Sequence, residues 1–131
     1  MIGLDTNVVV RYIAQDDVAQ AKKATKLIES LSPESPGYIP LVTVVELVWV
    51  LESCYAQNRA EVVAVLDTLL RTKQLMVENV AVVSQALKIF AMGKADFADC
   101  LIARSALAAN CTHTVTFDKA AANHAGMQLL E

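Results

Sequence analysis

The sequence predicts an α/β domain built on a parallel sheet, and three observations predict it. Short apolar runs of three or four residues alternate with longer stretches whose apolar residues recur at helical spacing. The short runs lack polar alternation, as expected of strands covered on both faces. The 131 residues are 55% hydrophobic and contain no repeat, linker or low-complexity segment, so one domain spanning 1–131 with its own core is expected.

Residues 2–4 form a short buried-strand candidate at the start of the chain. Residues 17–31 place Ala21, Ala24, Leu27, Ile28 and Leu31 on one helical face and Lys22, Lys23, Lys26 and Glu29 elsewhere. Tyr38-Ile39, bracketed by Gly37 and Pro40, fits a second strand. Thr43-Val-Val-Glu46 carries a capping-box pattern and opens a helix running to Tyr55. Asn58, with Glu61 three residues on, repeats the device for a helix to Leu70. Leu75–Val77 is a third strand, and Val80–Met92 is helical up to Gly93, which suits a C-terminus because glycine tolerates positive φ. Asp96 caps a helical stretch to Ala109, with Asn110 next. The β-branched run 113–116 is a fourth strand. A short helix over 120–123 and a strand over 128–130 complete the chain.

Charge and cysteine content narrow the function classes. Eleven Lys+Arg against 14 Asp+Glu, with no basic block, argue against a protein that holds nucleic acid through bulk positive charge. Cys54, Cys100 and Cys111 form no CxxC pair, and an odd number leaves at least one thiol unpaired, which suits a reducing compartment. Met1-Ile-Gly-Leu-Asp5 has no basic leader, and the longest apolar run is flanked by Glu46 and Glu52, short of the roughly 20 residues of a membrane helix. A soluble, cytoplasmic protein with no membrane partner is expected.

In open parallel sheets, ligands bind beyond the carboxyl ends of the strands. Asp5 directly succeeds the first strand, and Asp118 succeeds the fourth after one Phe. Glu46 lies near the start of the helix after the second strand, while Asp96 and Asp99 open the helix before the fourth. Such carboxylates repel one another when no cation is bound. All-oxygen ligation suits magnesium or manganese, ions that activate water and stabilise both oxygens of an in-line phosphoryl displacement.

Each acid also has a structural reading. Glu46 fits a capping box, Asp96 fits an N-cap, Asp99 favours the positive end of its helix, Asp118 suits a turn with Lys119, and Asp5 suits an N-cap before Thr6-Asn7-Val-Val-Val. Five caps on one edge are a less economical explanation than one site. His113 and His124 lack partners at zinc-ligand spacing, Cys100 sits in the apolar part of its helix, and the four glycines form no phosphate loop. Trp49 reads as core or dimer surface.

Taken together, Ile2-Gly-Leu-Asp5-Thr-Asn-Val, Pro40-Leu-Val-Thr43-Val-Val-Glu46-Leu-Val-Trp-Val-Leu, Asp96-Phe-Ala-Asp99-Cys-Leu-Ile-Ala and Thr114-Val-Thr116-Phe-Asp118-Lys resemble the PIN domain, specifically VapC-type toxin ribonucleases. The resemblance covers the whole chain in order. It implies a three-layer α/β/α fold with a five-stranded parallel sheet of order 3-2-1-4-5, and magnesium- or manganese-dependent endonucleolytic cleavage of RNA. It implies that Asp5, Glu46, Asp99 and Asp118 are the catalytic, metal-binding acids, supported by the polar residues Thr6, Asn7 and Thr116. Asp96 is left open between ligand and helix cap. A homodimer and a cognate antitoxin as partner are further implications.

Two other functions fit less well. A phosphoryl-aspartate or receiver domain also places acids at strand ends, but after the fourth strand only Lys119 is available to assist, and Asp5-Thr-Asn lacks the second Asp of a haloacid-dehalogenase-like phosphatase. A catalytically silent PIN-like module for docking or dimerisation has no chemical need of a repulsive acid set. Setting aside Asp5, Glu46, Asp96, Asp99 and Asp118 leaves nine acids against eleven bases. The remainder is therefore slightly basic, and weak, metal-dependent RNA affinity is expected.

Overall fold

The computed structural model covers residues 1–131. Its elements, in chain order, are β1 (Ile2–Gly3), α1 (Thr6–Ala14), α2 (Val18–Glu29), β2 (Gly37–Ile39), α3 (Leu41–Cys54), α4 (Arg59–Arg71), β3 (Leu75–Val77), α5 (Val80–Met92), α6 (Phe97–Ala108), β4 (Val115–Thr116), α7 (Lys119–His124) and β5 (Gln128–Leu129). The expected alternation of helices and parallel strands is present. The elements form two compact units, Met1–Glu78 and Asn79–Glu131. No helix is long and apolar enough to cross a membrane.

In the first unit β2 lies between β1 and β3, both parallel to it, with Gly37 opposite Ile2 on one side and Leu75 on the other. In the second unit β4 pairs in parallel with β5, Val115 opposite Gln128. The hydrogen bonds thus build ladders of three and two strands, where the sequence predicts one of five. The strands are short, and the groups flanking β1 are already committed to the β2 side: the Ile2 N–H donates to the Pro36 carbonyl (3.2 Å) and the Leu4 N–H to the Tyr38 carbonyl (2.8 Å).

Burial on both faces is also not uniform. Leu75 and Val77 are buried while Met76 between them is 48% exposed, so β3 alternates, and Ile2 in β1 is 44% exposed. The close approach of neighbouring side chains explains Gly37: a Cβ there would stand 2.8 Å from Leu4 Cδ1 and 2.9 Å from Leu31 Cδ1.

No helix is expected from the sequence over 6–14, yet α1 occupies it. Val8, Val9 and Val10 are poor helix formers because β-branching restricts χ1. Tertiary burial outweighs that cost: Val9 and Val10 are 1% and 5% exposed. The helix ends at Gln15, in the left-handed region, whose side-chain amide donates to the Tyr12 carbonyl (2.7 Å) and to Thr25 Oγ1 (3.1 Å) on α2. Arg11 then ties the hairpin to the end of α3: its Nη1 donates to Asp16 (3.2 Å) and to the Tyr55 hydroxyl (3.3 Å), which itself donates to Asp16 Oδ2 at 2.8 Å. That Tyr55 hydrogen bond holds the Asp16 carboxyl below its ordinary pKa.

The capping box expected at Thr43 and Glu46 does not form. The helix α3 starts two residues earlier, at Leu41, with Pro40 in the cap position, and Thr43 is buried inside it. Pro40 has no side chain that can accept a hydrogen bond. Instead Glu78, just beyond β3, reaches across so that its Oε1 accepts from the Leu41 N–H at 2.8 Å. The same carboxylate adds to burial in raising the Tyr38 hydroxyl pKa. The box at Asn58 and Glu61 does form, with both reciprocal bonds at 2.9 Å. Gly93 closes α5 in extended backbone (φ −125°), contrary to the left-handed expectation. Asn110, after α6, takes the left-handed conformation (φ 70°).

The core of the first unit contains Val9, Ile28, Ile39, Leu47, Leu51 and Val62, none more than 1% exposed. In the second unit Phe90 of α5 and Phe97 of α6 meet edge to face, ring centres 5.7 Å apart, and Cys100 of α6 is fully buried. Cys54 and Cys111 are exposed, and none of the three cysteines is in a disulfide.

Because Glu78 supplies the acceptor that Pro40 cannot, Glu78→Ala should lower stability by about 1 kcal/mol in urea denaturation, the usual cost of a lost cap. Glu78→Gln retains an acceptor oxygen and should lose less. Unchanged stability in the alanine variant would contradict the role assigned to Glu78.

Candidate active site

In the first unit the site residues stand where strand hands over to helix. Asp5 leaves β1 in extended backbone and caps α1, its Oδ1 accepting from the Thr6 N–H at 2.8 Å. Thr6, 7% exposed in the first turn, donates its Oγ1 to Glu46 Oε1 at 2.7 Å. Glu46 lies more than a turn inside α3, so it has no capping duty. One buried hydroxyl therefore links the carboxylate of α3 to the residue beside Asp5. Asn7, next along α1, is exposed and lines a cavity of about 300 Å³ with Arg11, Gln20 and Lys23.

The second unit assembles a matching set. Asp96 caps α6, its Oδ1 accepting from the Ala98 N–H at 2.8 Å. Asp99 stands in the first turn of the same helix, partly buried. Asp118 caps α7, with Oδ1 accepting from Ala120 (2.8 Å) and Ala121 (3.3 Å), while its own N–H donates to Thr116 Oγ1 at 3.0 Å. Thr116 thus shapes the turn that delivers Asp118. Desolvation raises the pKa of Asp99, and the charges of Asp96 and Asp118 raise it further.

The structural readings of Asp5 and Asp96 as helix caps are thus correct, and Asp118, read as a turn residue, is a helix cap as well. Capping does not exhaust a carboxylate: in each the capping bonds go to Oδ1, and no protein group bonds Oδ2. No lysine or arginine forms an ion pair with any of the five acids. Helix N-termini partly offset the cost of placing anions there. No three His, Cys, Asp or Glu side chains are gathered closely enough to form a finished cage for an ion. The donor set nevertheless fits a hard divalent cation in kind. It offers only oxygen, it is unneutralised, and in the second unit it is close enough for mutual repulsion to raise a pKa.

Sequence reasoning missed Glu78, because a cap delivered from 37 residues away leaves no local pattern. The one available signal is the lack of a capping side chain at Pro40.

The raised pKa of Asp99 has a consequence for stability. A carboxyl whose folded pKa lies above its ordinary 3.8 favours the fold fully only below that value, and the contribution is lost as pH rises through the folded pKa. At neutral pH the ionised Asp99 therefore opposes folding. In thermal melts with chelator, Asp99→Asn should melt higher than the parent at pH 7, the gap closing below about pH 4. A variant that melts lower at pH 7 would contradict this.

Comparison with known proteins gives the same family as the motifs. Residues 2–127 match the PIN domain. Over 117 residues the chain is 25% identical to a protein named VapC ribonuclease from Aquifex aeolicus (strain VF5), an alignment covering 88% of this chain and 86% of that protein. With the domain match running through both units and across Asp5, Glu46, Asp99 and Asp118, the chain belongs to the PIN domain family.

Proposed function

We propose that the chain is a magnesium- or manganese-dependent endoribonuclease and the toxin of a toxin-antitoxin pair. The observation that carries this reading is the set of unpaired carboxylates at helix starts, with Asp99 raised in pKa by burial and its acidic neighbours. The similarity to a protein named as a ribonuclease supports it. The reading takes residues 1–131 as one nuclease domain, with strand order 3-2-1-4-5.

Asp5, Glu46, Asp99 and Asp118 would hold the ion, Asp5 and Asp99 chiefly. When bound, such an ion lowers the pKa of a water and stabilises charge on the phosphoryl oxygens. The chain's own residues supply the rest. Asp5 and Asp118 keep Oδ1 on backbone N–H groups, which fixes the direction of Oδ2. Thr6 holds Glu46 in one rotamer, and Thr116 sets the turn before Asp118. A carboxylate of this set accepts the proton of the attacking water as the phosphodiester P–O bond breaks and the leaving oxygen takes a proton from solvent.

A cognate antitoxin and a second copy of the chain are the proposed protein partners, in the cytoplasm. Support comes from α3, where Val42 and Trp49, seven residues apart on one helical face, are 65% and 63% exposed.

Incubated with structured RNA and magnesium, the protein should produce discrete fragments, and chelator should stop the reaction. Asp5→Asn and Asp99→Asn should each slow cleavage on the order of 100-fold, as loss of a transition-state stabilising group does. Equal cleavage by all three proteins would refute the proposal.

A further inference from the structure

By sequence, Lys22, Lys23 and Lys26 are expected on a solvated helix face, and the structure gives that face a different character. All three are exposed on α2, none forms an ion pair, and they make up three of the chain's eleven basic residues within five positions. In a protein with an excess of acids, that is a positive patch held in no ion pair. Lys22 and Lys26 stand four apart on one side, where like charges repel. Lys26, in the last turn, gains from the helix dipole, but Lys22 and Lys23 are mid-helix and gain nothing from it. Glu29, near the end of α2, is the single acid along this helix.

The patch has hollows on both flanks. Lys22 and Lys26 border one with Thr25 and Glu29. Lys23 borders the cavity of about 300 Å³ between α1 and α2 whose opposite wall carries Asn7. Asn7 is two residues from Asp5 and adjacent to the Thr6 that holds Glu46. The other cation at that cavity, Arg11, is already paired with Asp16. The charge not held in an ion pair therefore belongs to the three lysines, and the cavity joins Lys23 to Asn7, two residues from Asp5.

We propose that the exposed face of α2 formed by Lys22, Lys23 and Lys26 is a binding surface for the single-stranded RNA backbone, holding phosphates that flank the one placed at Asp5. The inference takes its RNA from the function proposed above. Lysine suits the task because a mobile point charge accepts phosphates in many positions and reads no sequence. Three such contacts give a weak, salt-sensitive attachment that cannot retain RNA by itself.

The test compares the parent with the Lys22→Gln, Lys23→Gln, Lys26→Gln triple variant, which keeps good helix formers. Binding of a labelled, unstructured oligoribonucleotide of about 20 nucleotides is measured by fluorescence anisotropy in chelator. Each single-strand phosphate contact contributes about 0.7 to the slope of log affinity against log salt, so the variant's slope should be shallower by about 2. Equivalently, the parent's advantage should shrink roughly 20-fold between 50 and 200 mM salt. Equal affinity and slope in the two proteins, with unchanged circular dichroism, would overturn the inference. So would a variant that loses binding to polyglutamate but keeps the parent's RNA slope, which would assign the face to an acidic protein partner. Cleavage in magnesium is read separately. A parent that binds with the steeper slope but does not cleave refutes the nuclease reading and leaves the RNA surface standing.

Discussion

The arrangement depends on one constraint: a carboxylate at the start of a helix must satisfy backbone N–H groups and still retain an oxygen for other chemistry. Asp5, Asp96 and Asp118 meet it in the same way, each capping through Oδ1. The capping bond removes the rotational freedom that would otherwise leave the second oxygen undirected. The helix end also partly offsets the cost of holding negative charge without a partner cation. Structural and chemical readings of these residues are therefore not rivals. The cap fixes the acid's orientation, Thr6 holds the Glu46 carboxylate, and Thr116 accepts from the Asp118 N–H and so sets the turn before that acid.

This constraint explains what the sequence showed and what it hid. Strand and helix alternation was legible because periodicity is local, and so were the caps at Asn58 and Asp96. The capping-box pattern at Thr43 and Glu46 misled, since the same residue spacing also fits the interior of a helix that starts earlier. Pro40, favoured before a first turn, moved the start to Leu41, and a carboxylate distant in sequence completed it. The helix over 6–14 was hidden by its valines, whose preference for strands is overridden by burial. The candidate acids were individually ambiguous and became specific only as an ordered set of motifs. Their hydroxyl supports, Thr6 and Thr116, could be named from resemblance, but their bonding partners required coordinates.

The charge balance also reads differently once charges are placed. A net −3 spread evenly would repel RNA. Instead, five acids stand at the start of helices or on α3, while three lysines share one face of α2 without ion pairs. Under the proposed function, segregation of this kind would let a mildly acidic chain meet a polyanion: a bound cation would neutralise one surface, and phosphate the other. The cost falls on stability, as the raised pKa of Asp99 indicates. Functional sites commonly hold such unfavourable charge because the ligand relieves it.

The central claim is that this acid set binds a hard divalent cation, and titration of the 131-residue chain with manganese by calorimetry tests it most directly. A saturable binding isotherm is expected, with thermal stability rising as manganese exceeds its dissociation constant, by about 1.4 kcal/mol for each further tenfold in concentration. Asp99→Asn should lose both effects while remaining folded. No saturable binding in the parent, or the same isotherm and stabilisation in Asp99→Asn, would contradict the claim.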